Sequence, residues 1–152
     1  QYTALENVTL AERLMAKERP DFKANKKKIL AAIDAEGMAL LEKMGLKERA
    51  GHYPHQLSGG QQQRVAIART LASGAPFILA DEPTGNLDED TAAEITGILM
   101  ESAHELDRCV IVVTHSRELA KRADIVWKLK GGSLQRVSPC LRADVPGQEV
   151  FL

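Results

Sequence analysis

Two short runs of uninterrupted apolar residues, Phe77-Ile78-Leu79-Ala80 and Val110-Ile111-Val112-Val113, constrain this chain more than any other feature. Neither run alternates with polar residues, so both suit strands covered on two sides. Between them, Asp88 can cap a long helix whose Ala92, Ile95, Leu99, Ala103 and Leu106 share a face and return the chain to the second run. That is a βαβ crossover, which makes the strands parallel and the fold class α/β. Each strand ends in chemistry: the first runs into Asp81-Glu82-Pro83-Thr84-Gly85-Asn86-Leu87-Asp88, the second into Thr114-His115. Open α/β sheets bind ligands at that carboxyl end, and the two acids can divide the labour, Asp81 for a hard cation and Glu82 for a proton. Taken singly, the acids also read as a solvated loop start before a proline, and His115 as a strand-end residue that only caps the next helix.

Upstream, Leu57-Ser58-Gly59-Gly60-Gln61 runs directly into Gln62-Gln63-Arg64-Val65-Ala66-Ile67-Ala68-Arg69. Two adjacent glycines let backbone approach an anion with no Cβ in the way, Ser58 adds a capping hydroxyl, and good helix formers follow. The helix dipole places roughly half a positive elementary charge at that end, a favourable seat for a terminal phosphate. By itself the pentapeptide reads equally as a Ser-Gly-Gly turn before an ordinary helix. The acids and the histidine that follow in order favour the phosphate-facing reading.

Together these residues resemble the ATPase domain of an ATP-binding cassette (ABC) transporter. Leu57 to Gln61 reproduces the family signature LSGGQ, Phe77 to Glu82 its Walker B strand, Gly85 to Asp88 its D-loop, and His115 the switch histidine of its H-loop. The stretch from Asp81 to Asp88 is similar to a subgroup that includes lipoprotein-releasing, macrolide-exporting and cell-division ATPases. Chromosome-maintenance and DNA-repair ATPases carry related signatures, usually with Glu or Lys after the glycines, where this chain has Gln61-Gln62-Gln63-Arg64.

The resemblance implies a partial RecA-like P-loop NTPase core of the ABC type with an α-helical subdomain. Residues 1–75 would be the helical signature subdomain, 76–137 the partial core with Walker B, D-loop and H-loop, and 138–152 an irregular tail. It implies ATP and Mg²⁺ as cofactors and a second ATPase domain paired head to tail, with nucleotide sandwiched between one domain's phosphate loop and the other's signature. Ser58, Gly59, Gly60 and Gln61 would then face the γ-phosphate held by the partner, and Asp88 would link the two sites while also capping its helix. Asp81 would help hold Mg²⁺, Glu82 would orient and deprotonate the attacking water, and His115 would brace the γ-phosphate. A transmembrane permease subunit facing the helical region is the other implied partner, with the chain cytoplasmic and peripheral to the membrane.

One departure from the family is as informative as the match. A complete domain needs a GxxxxGK[ST] loop to cradle the phosphates, and this chain contains no Gly-Lys dipeptide. The adenine-stacking aromatic and the Q-loop glutamine expected upstream are also missing, and the chain opens at Gln1 as if cut from something longer. In the family fold the strand carrying that loop lies beside the strand ending at His115. Its loss predicts an unpaired edge in mid-sheet, poor stability and no ATP hydrolysis by the chain alone. Three functions follow: part of an ABC ATPase energising a transporter, a non-enzymatic truncated protein binding a partner through its helical region, or a DNA-repair or translation-type ABC ATPase without a permease.

The remaining sequence fits this frame. At 152 residues, 44% hydrophobic, 27% charged and a formal charge of -1, the chain can bury a core but carries no electrostatic footprint for nucleic acid. No stretch approaches the apolar length of a membrane span, so direct membrane insertion is not expected. No signal peptide is visible. Cys109 and Cys140 show no metal or disulfide spacing, which fits a reducing compartment, and Cys109 reads as a small core residue. Thr3-Ala4-Leu5-Glu6 is a capping box opening a helix through Leu5, Val8, Leu10 and Leu14. Pro20-Asp21 interrupts it and starts a second helix with Ile29, Leu30, Ile33, Leu40, Leu41 and Met44 as its apolar stripe, ended by Gly45 and kinked or split at Gly37. Lys23, Lys26, Lys27 and Lys28 read as a solvated face. Ser116 can cap a short helix through Arg122, after which Ile125–Lys130, Gly131-Gly132 and Ser133–Gln135 form a hairpin.

Overall fold

The computed structural model describes residues 1–137 and, by their backbone, 149–151. The chain forms two compact units, Gln1–Ala75 and Pro76–Leu152.

The first unit is helical. α1 (Ala4–Ala16) starts at the expected capping box: Glu6 N–H donates to Thr3 Oγ1 at 3.3 Å, and Thr3 N–H donates to the Glu6 carboxylate at 2.8 Å. Val8 is fully buried on its inner face, while Leu14, expected in the apolar stripe, is exposed, and Ala4, Thr9 and Ala16 are buried in addition. α2 (Phe22–Lys43) runs unbroken through Gly37, correcting the expected kink. The reason is close packing on α1: a Cβ at Gly37 would fall onto the Thr9 methyl and within 3.1 Å of Leu5 Cδ1. The buried Thr9 hydroxyl donates to Leu5 O and accepts from Arg13 Nε, each at 2.9 Å, and Arg13 continues to Asp34, one turn before Gly37. Glycine therefore sets the helix spacing and the Arg13–Asp34 pair fixes its register. Lys23, Lys26, Lys27 and Lys28 are exposed.

Two short 3-10 turns, Lys47–Arg49 and Pro54–Gln56, lead into α3 (Gly59–Ala72). Val65, Ala68 and Leu71 recur at helical spacing and are its buried residues. Arg64 Nη1 donates to Met44 O at 2.9 Å, so α3 also satisfies a carbonyl left open at the end of α2.

Among the described residues the second unit holds a five-stranded sheet in the order β1-β2-β5-β3-β4. β1 (Phe77–Asp81) and β2 (Cys109–Thr114) pair in parallel from Phe77↔Cys109 to Asp81↔Val113. α4 (Glu89–His104) makes the crossover, capped by Asp88 as expected, with Thr91 N–H donating to its carboxylate at 3.0 Å. Ile95, Ile98 and Leu99 of α4, with Leu119 and Ala120 of α5 (Arg117–Arg122), are buried, as are Ile78, Val110, Val112 and Val126 of the sheet. α4 stops at His104, which leaves Leu106 beyond the helix and exposed rather than on its apolar face. β3 (Val126–Lys130) and β4 (Ser133–Arg136) form the hairpin, its turn made by Gly131 and Gly132 with φ of +56° and +77°, a pair of values that few residues other than glycine adopt.

Two expectations are corrected here. Glu149–Phe151, assigned to an irregular tail, forms β5, which pairs antiparallel with both β2 and β3. The mid-sheet edge expected to stand open beside β2 is thus partly filled by the chain's own C-terminal strand. A three-residue strand carries too little local pattern to be read, and pairing on both sides is what stabilises it. The rest of the tail, with Cys140, lies outside the described residues. Cys109 is exposed rather than core, because it shares with Phe77 and Leu79 a sheet face that α4 does not cover; Phe77 is 63% and Leu79 75% exposed.

Two stability outcomes follow from the helical unit. Gly37→Ala loses stability by about 1–3 kcal/mol through overpacking against Thr9, despite alanine's better helix propensity. Urea denaturation reads this directly, and a gain in stability would mean that the α1–α2 spacing yields freely. Glu12 lines a groove of about 600 Å³ with Glu36, and burial followed by the Glu36 charge raises its pKa above the ordinary 4.5. A carboxyl whose folded pKa is raised opposes folding once ionised, a cost that disappears as falling pH protonates it. Glu12→Gln therefore stabilises the chain at neutral pH by under about 0.5 kcal/mol, screened as the site is by solvent. The gain shrinks as pH falls through the raised pKa toward 4.5, which thermal melts at pH 7 and pH 4 would register.

Candidate functional site

The candidate residues fall into two groups, one in each unit. In the helical unit, Ser58 caps α3: Gln61 N–H donates to Ser58 Oγ at 3.3 Å, and Ser58 N–H donates to Gln61 Oε1 at 3.0 Å. Ser58 and Gln61, both expected to face phosphate, thus form a reciprocal capping box that fixes the helix start. The first-turn N–H groups of Gly59 and Gly60 lie at helix positions with no carbonyl one turn earlier to receive them. Gln62 Nε2 donates to Pro54 O at 2.9 Å and Leu57 O at 3.0 Å, stapling the turn ahead of the helix. The sequence offered a signal for the box, Ser-x-x-Gln, but none for the Gln62 staple.

Gly59 is informative for what does not surround it. A Cβ built there meets nothing within 4 Å, and its backbone is not among the positive-φ positions. Neither the packing nor the dihedrals of the fold require glycine at this position. Backbone exposed without a side chain at a helix N-terminus is suited to the close approach of an anion from outside.

In the sheet unit, Asp81 ends β1 and is exposed. Glu82 continues the ladder for one more bond, N–H to Val113 O at 2.8 Å, and then takes φ of +45°. That left-handed turn is uncommon for a residue other than glycine and clusters at functional positions. It carries the carboxylate across to the end of β2. Thr114 Oγ1 donates to Glu82 Oε2 at 2.8 Å and His115 N–H donates to Oε1 at 2.9 Å, while His115 Nε2 stands 3.8 Å from Oε1. Thr114, which sequence reasoning passed over as the last strand residue, is fully buried and also accepts from Ser116 N–H at 3.0 Å. It joins the Glu82 carboxylate to the start of α5. Asp88 caps α4, and its carboxylate also accepts from Thr91 Oγ1 at 2.9 Å.

Asp81 is exposed and offers a carboxylate of the kind that hard cations take, and among the described residues no group of three His, Cys, Asp or Glu is placed to hold a metal ion.

Comparison with known proteins places the chain. The family model described as ABC transporter matches residues 1–85. A macrolide export ATP-binding/permease protein of Aeromonas hydrophila is 50% identical over 112 residues, covering 74% of this chain and 17% of the relative. A lipoprotein-releasing system ATP-binding protein of Legionella pneumophila is 43% identical over 136 residues, 88% of this chain and 54% of the relative. A dimeric ATP-binding cassette solved in a post-hydrolysis state with ADP and Pi superposes with a TM-score of 0.76 at 37% identity, covering 90% of this chain and 56% of that one. The chain therefore spans about half the length of the separate ATP-binding proteins it matches. Its α/β architecture is that of the ABC ATPase cassettes, and with the family model matching more than half of its residues the chain belongs to the ABC transporter ATP-binding family.

Proposed function

We propose that this chain is the signature and Walker B part of an ABC-type ATPase that binds and hydrolyses ATP in a head-to-tail dimer and drives transport through a membrane permease. The observation that carries this reading is the Glu82 carboxylate, swung off β1 and bonded to Thr114 and to the His115 backbone at the end of β2. Two parallel strands thereby hold an acid and an imidazole at the same end of one sheet, where a terminal phosphate and its attacking water are processed together. A carboxylate fixed there would orient water and take its proton. His115, its side chain 61% exposed, reaches outward to hydrogen-bond the γ-phosphate. Asp81 would hold Mg²⁺, which when bound neutralises phosphate charge.

The signature helix would meet the γ-phosphate bound by the other domain, with Ser58 and the N–H groups of Gly59 and Gly60 as donors and Gln61 keeping the capping hydroxyl in place. Asp88 would connect the two sites across the dimer. The dimer, the nucleotide and the permease are supported by relatives: a cassette solved as a dimer with ADP and Pi, and export and lipoprotein-releasing proteins whose names join ATP binding to membrane systems. Among the described residues no helix is long and apolar enough to cross a membrane. With no Gly-Lys dipeptide, residues 1–152 do not turn ATP over by themselves.

ATP turnover with Mg²⁺, measured on residues 1–152 and on the full gene product, tests this. Turnover is expected only where a GxxxxGK[ST] loop is present, and Glu82→Gln should lower it at least about 100-fold with nucleotide binding retained, since general-base catalysis contributes that much or more. Equal turnover by the Gln variant would remove Glu82 from the chemistry. Gly59→Leu separates fold from ligand: its melting should stay within about 0.5 kcal/mol of the parent chain while turnover in the dimer falls at least about tenfold. A large loss of stability would instead assign that glycine to the fold.

A further inference from the structure

We propose that the corner between α1 and α2 is a docking surface for an anionic lipid bilayer, with Leu14 and Met15 entering the interface and the lysines around them lying on the headgroups. Residues 17–28 hold six basic side chains against two acids, a formal charge of +4, whereas the whole chain carries -1 and its remainder therefore -5. Charge concentrated at one end in this way draws that end, and not the rest, toward a negative surface. The contact calls for neither nucleotide nor permease, so its test stands apart from the ATPase reading.

The positive charge is not neutralised inside the fold. Arg19 pairs with Asp21 at 3.1 Å and Arg13 with Asp34, which engages the two nearby aspartates with arginine. Among the described residues Lys17, Lys23, Lys26, Lys27 and Lys28 are exposed, and their ammonium groups make no hydrogen bond or ion pair. All but Lys17 stand in the first two turns of α2, whose first turn holds no acid and whose Asp21 makes no capping bond. The helix dipole adds roughly half a positive elementary charge at the same end.

Apolar side chains stand among these lysines. In the last turn of α1, Leu14 is 53% and Met15 64% exposed. Leu14 lies three residues before Lys17, its neighbour on the helix surface. The N–H groups of Lys17, Glu18 and Arg19 donate to the carbonyls of Leu14, Met15 and Ala16, which carries the helical turn onward and holds the corner in shape. On α2, Lys23 and Lys27 recur at helical spacing with Asp34, so they share the side on which Arg13 of α1 meets that aspartate. Met15 lines the groove described above together with Asn25 and Lys28. Glu12 and Glu36 line it further back along the two helices, which leaves the tip of the corner basic. The apolar pair selects among anionic partners. A nucleic-acid backbone takes the lysines but offers nothing to Leu14 and Met15, and protein interfaces are depleted in lysine. A bilayer accepts both, apolar side chains below its headgroups and ammonium groups among them.

Co-sedimentation of the chain with lipid vesicles, in the absence of nucleotide, is the test. Binding is expected to phosphatidylcholine vesicles containing about one-third phosphatidylglycerol, weakening as salt screens the surface, and not to phosphatidylcholine alone. Each lysine near an anionic surface contributes about fivefold in affinity, so Lys17→Gln, Lys23→Gln and Lys27→Gln combined should weaken binding about a hundredfold. Leu14→Gln with Met15→Gln, all lysines kept, should weaken it about tenfold. Lys130→Gln with Arg136→Gln, exposed charges of β3 and β4, should change it less than about twofold. Circular dichroism checks that helix content is retained; should the triple variant lose it, Lys27→Gln alone, expected to bind about fivefold more weakly, takes its place. Failure to bind the anionic vesicles overturns the proposal, as does equal binding to both kinds of vesicle. So does a β3–β4 variant that loses as much as the corner variants, which would reduce the effect to net charge. Binding that ignores the Leu14 and Met15 changes and is competed away by duplex DNA also overturns it, and makes the corner a general polyanion site. None of these outcomes bears on turnover by the dimer, whose failure would in turn leave the bilayer contact standing.

Discussion

Five paired positions hold β1 parallel to β2, and every chemical group of the sheet unit depends on that ladder. It brings Asp81 opposite Val113 and extends by one further bond from Glu82 N–H to Val113 O before the chain turns away. A slip of one residue would turn the slipping strand over, exposing Ile78 if β1 moved or Val110 and Val112 if β2 did. It would also separate the Glu82 carboxylate from Thr114 and His115. The ladder is in turn held by α4, whose Ile95 and Leu99 are buried, and by the capping of Asp88 that starts this helix after so short a loop. Site geometry and core packing are therefore one constraint seen at two ends of the same strands.

The two units show different ways of positioning a polar group. In the helical unit the signature start is rigid through local bonds: a reciprocal capping box, and a glutamine amide shared by two carbonyls of the preceding turn. In the sheet unit the equivalent rigidity is non-local, since Glu82 and Thr114 are 32 residues apart in sequence. It also requires a left-handed residue at φ +45°, with Gly85 close against it; a Cβ at Gly85 would stand 3.5 Å from Glu82 Cβ. Backbone strain at that residue is tolerated because bonds to its N–H and to both carboxylate oxygens over-determine its position.

This division also explains what was legible in the sequence. Capping boxes at Thr3-Glu6, caps at Ser58, Asp88 and Ser116, the two apolar strands and the Gly131-Gly132 hairpin are all written within a few residues of themselves, and each was readable. Features that depend on a distant partner were not. Thr114 looks like an ordinary last strand residue until the Glu82 carboxylate arrives beside it. Cys109 looks like core because its neighbours are apolar, yet the alternation of the strand puts it on the uncovered face. β5 is three residues whose strand character comes from two neighbours that flank it only after the sheet has formed. The family resemblance also suggested a gap in the sheet, which β5 partly closes.

Two glycines make the same point about cause. Gly37 and Gly59 each lie within a helix and neither has a positive φ, so propensity treats both as minor defects. At Gly37 the missing Cβ is required by Thr9 and Leu5 of the neighbouring helix, and the reason is internal to the fold. At Gly59 the same missing atom would have met open space. The space over Gly59, at the positive end of α3, leaves the backbone open to the close approach of an anion.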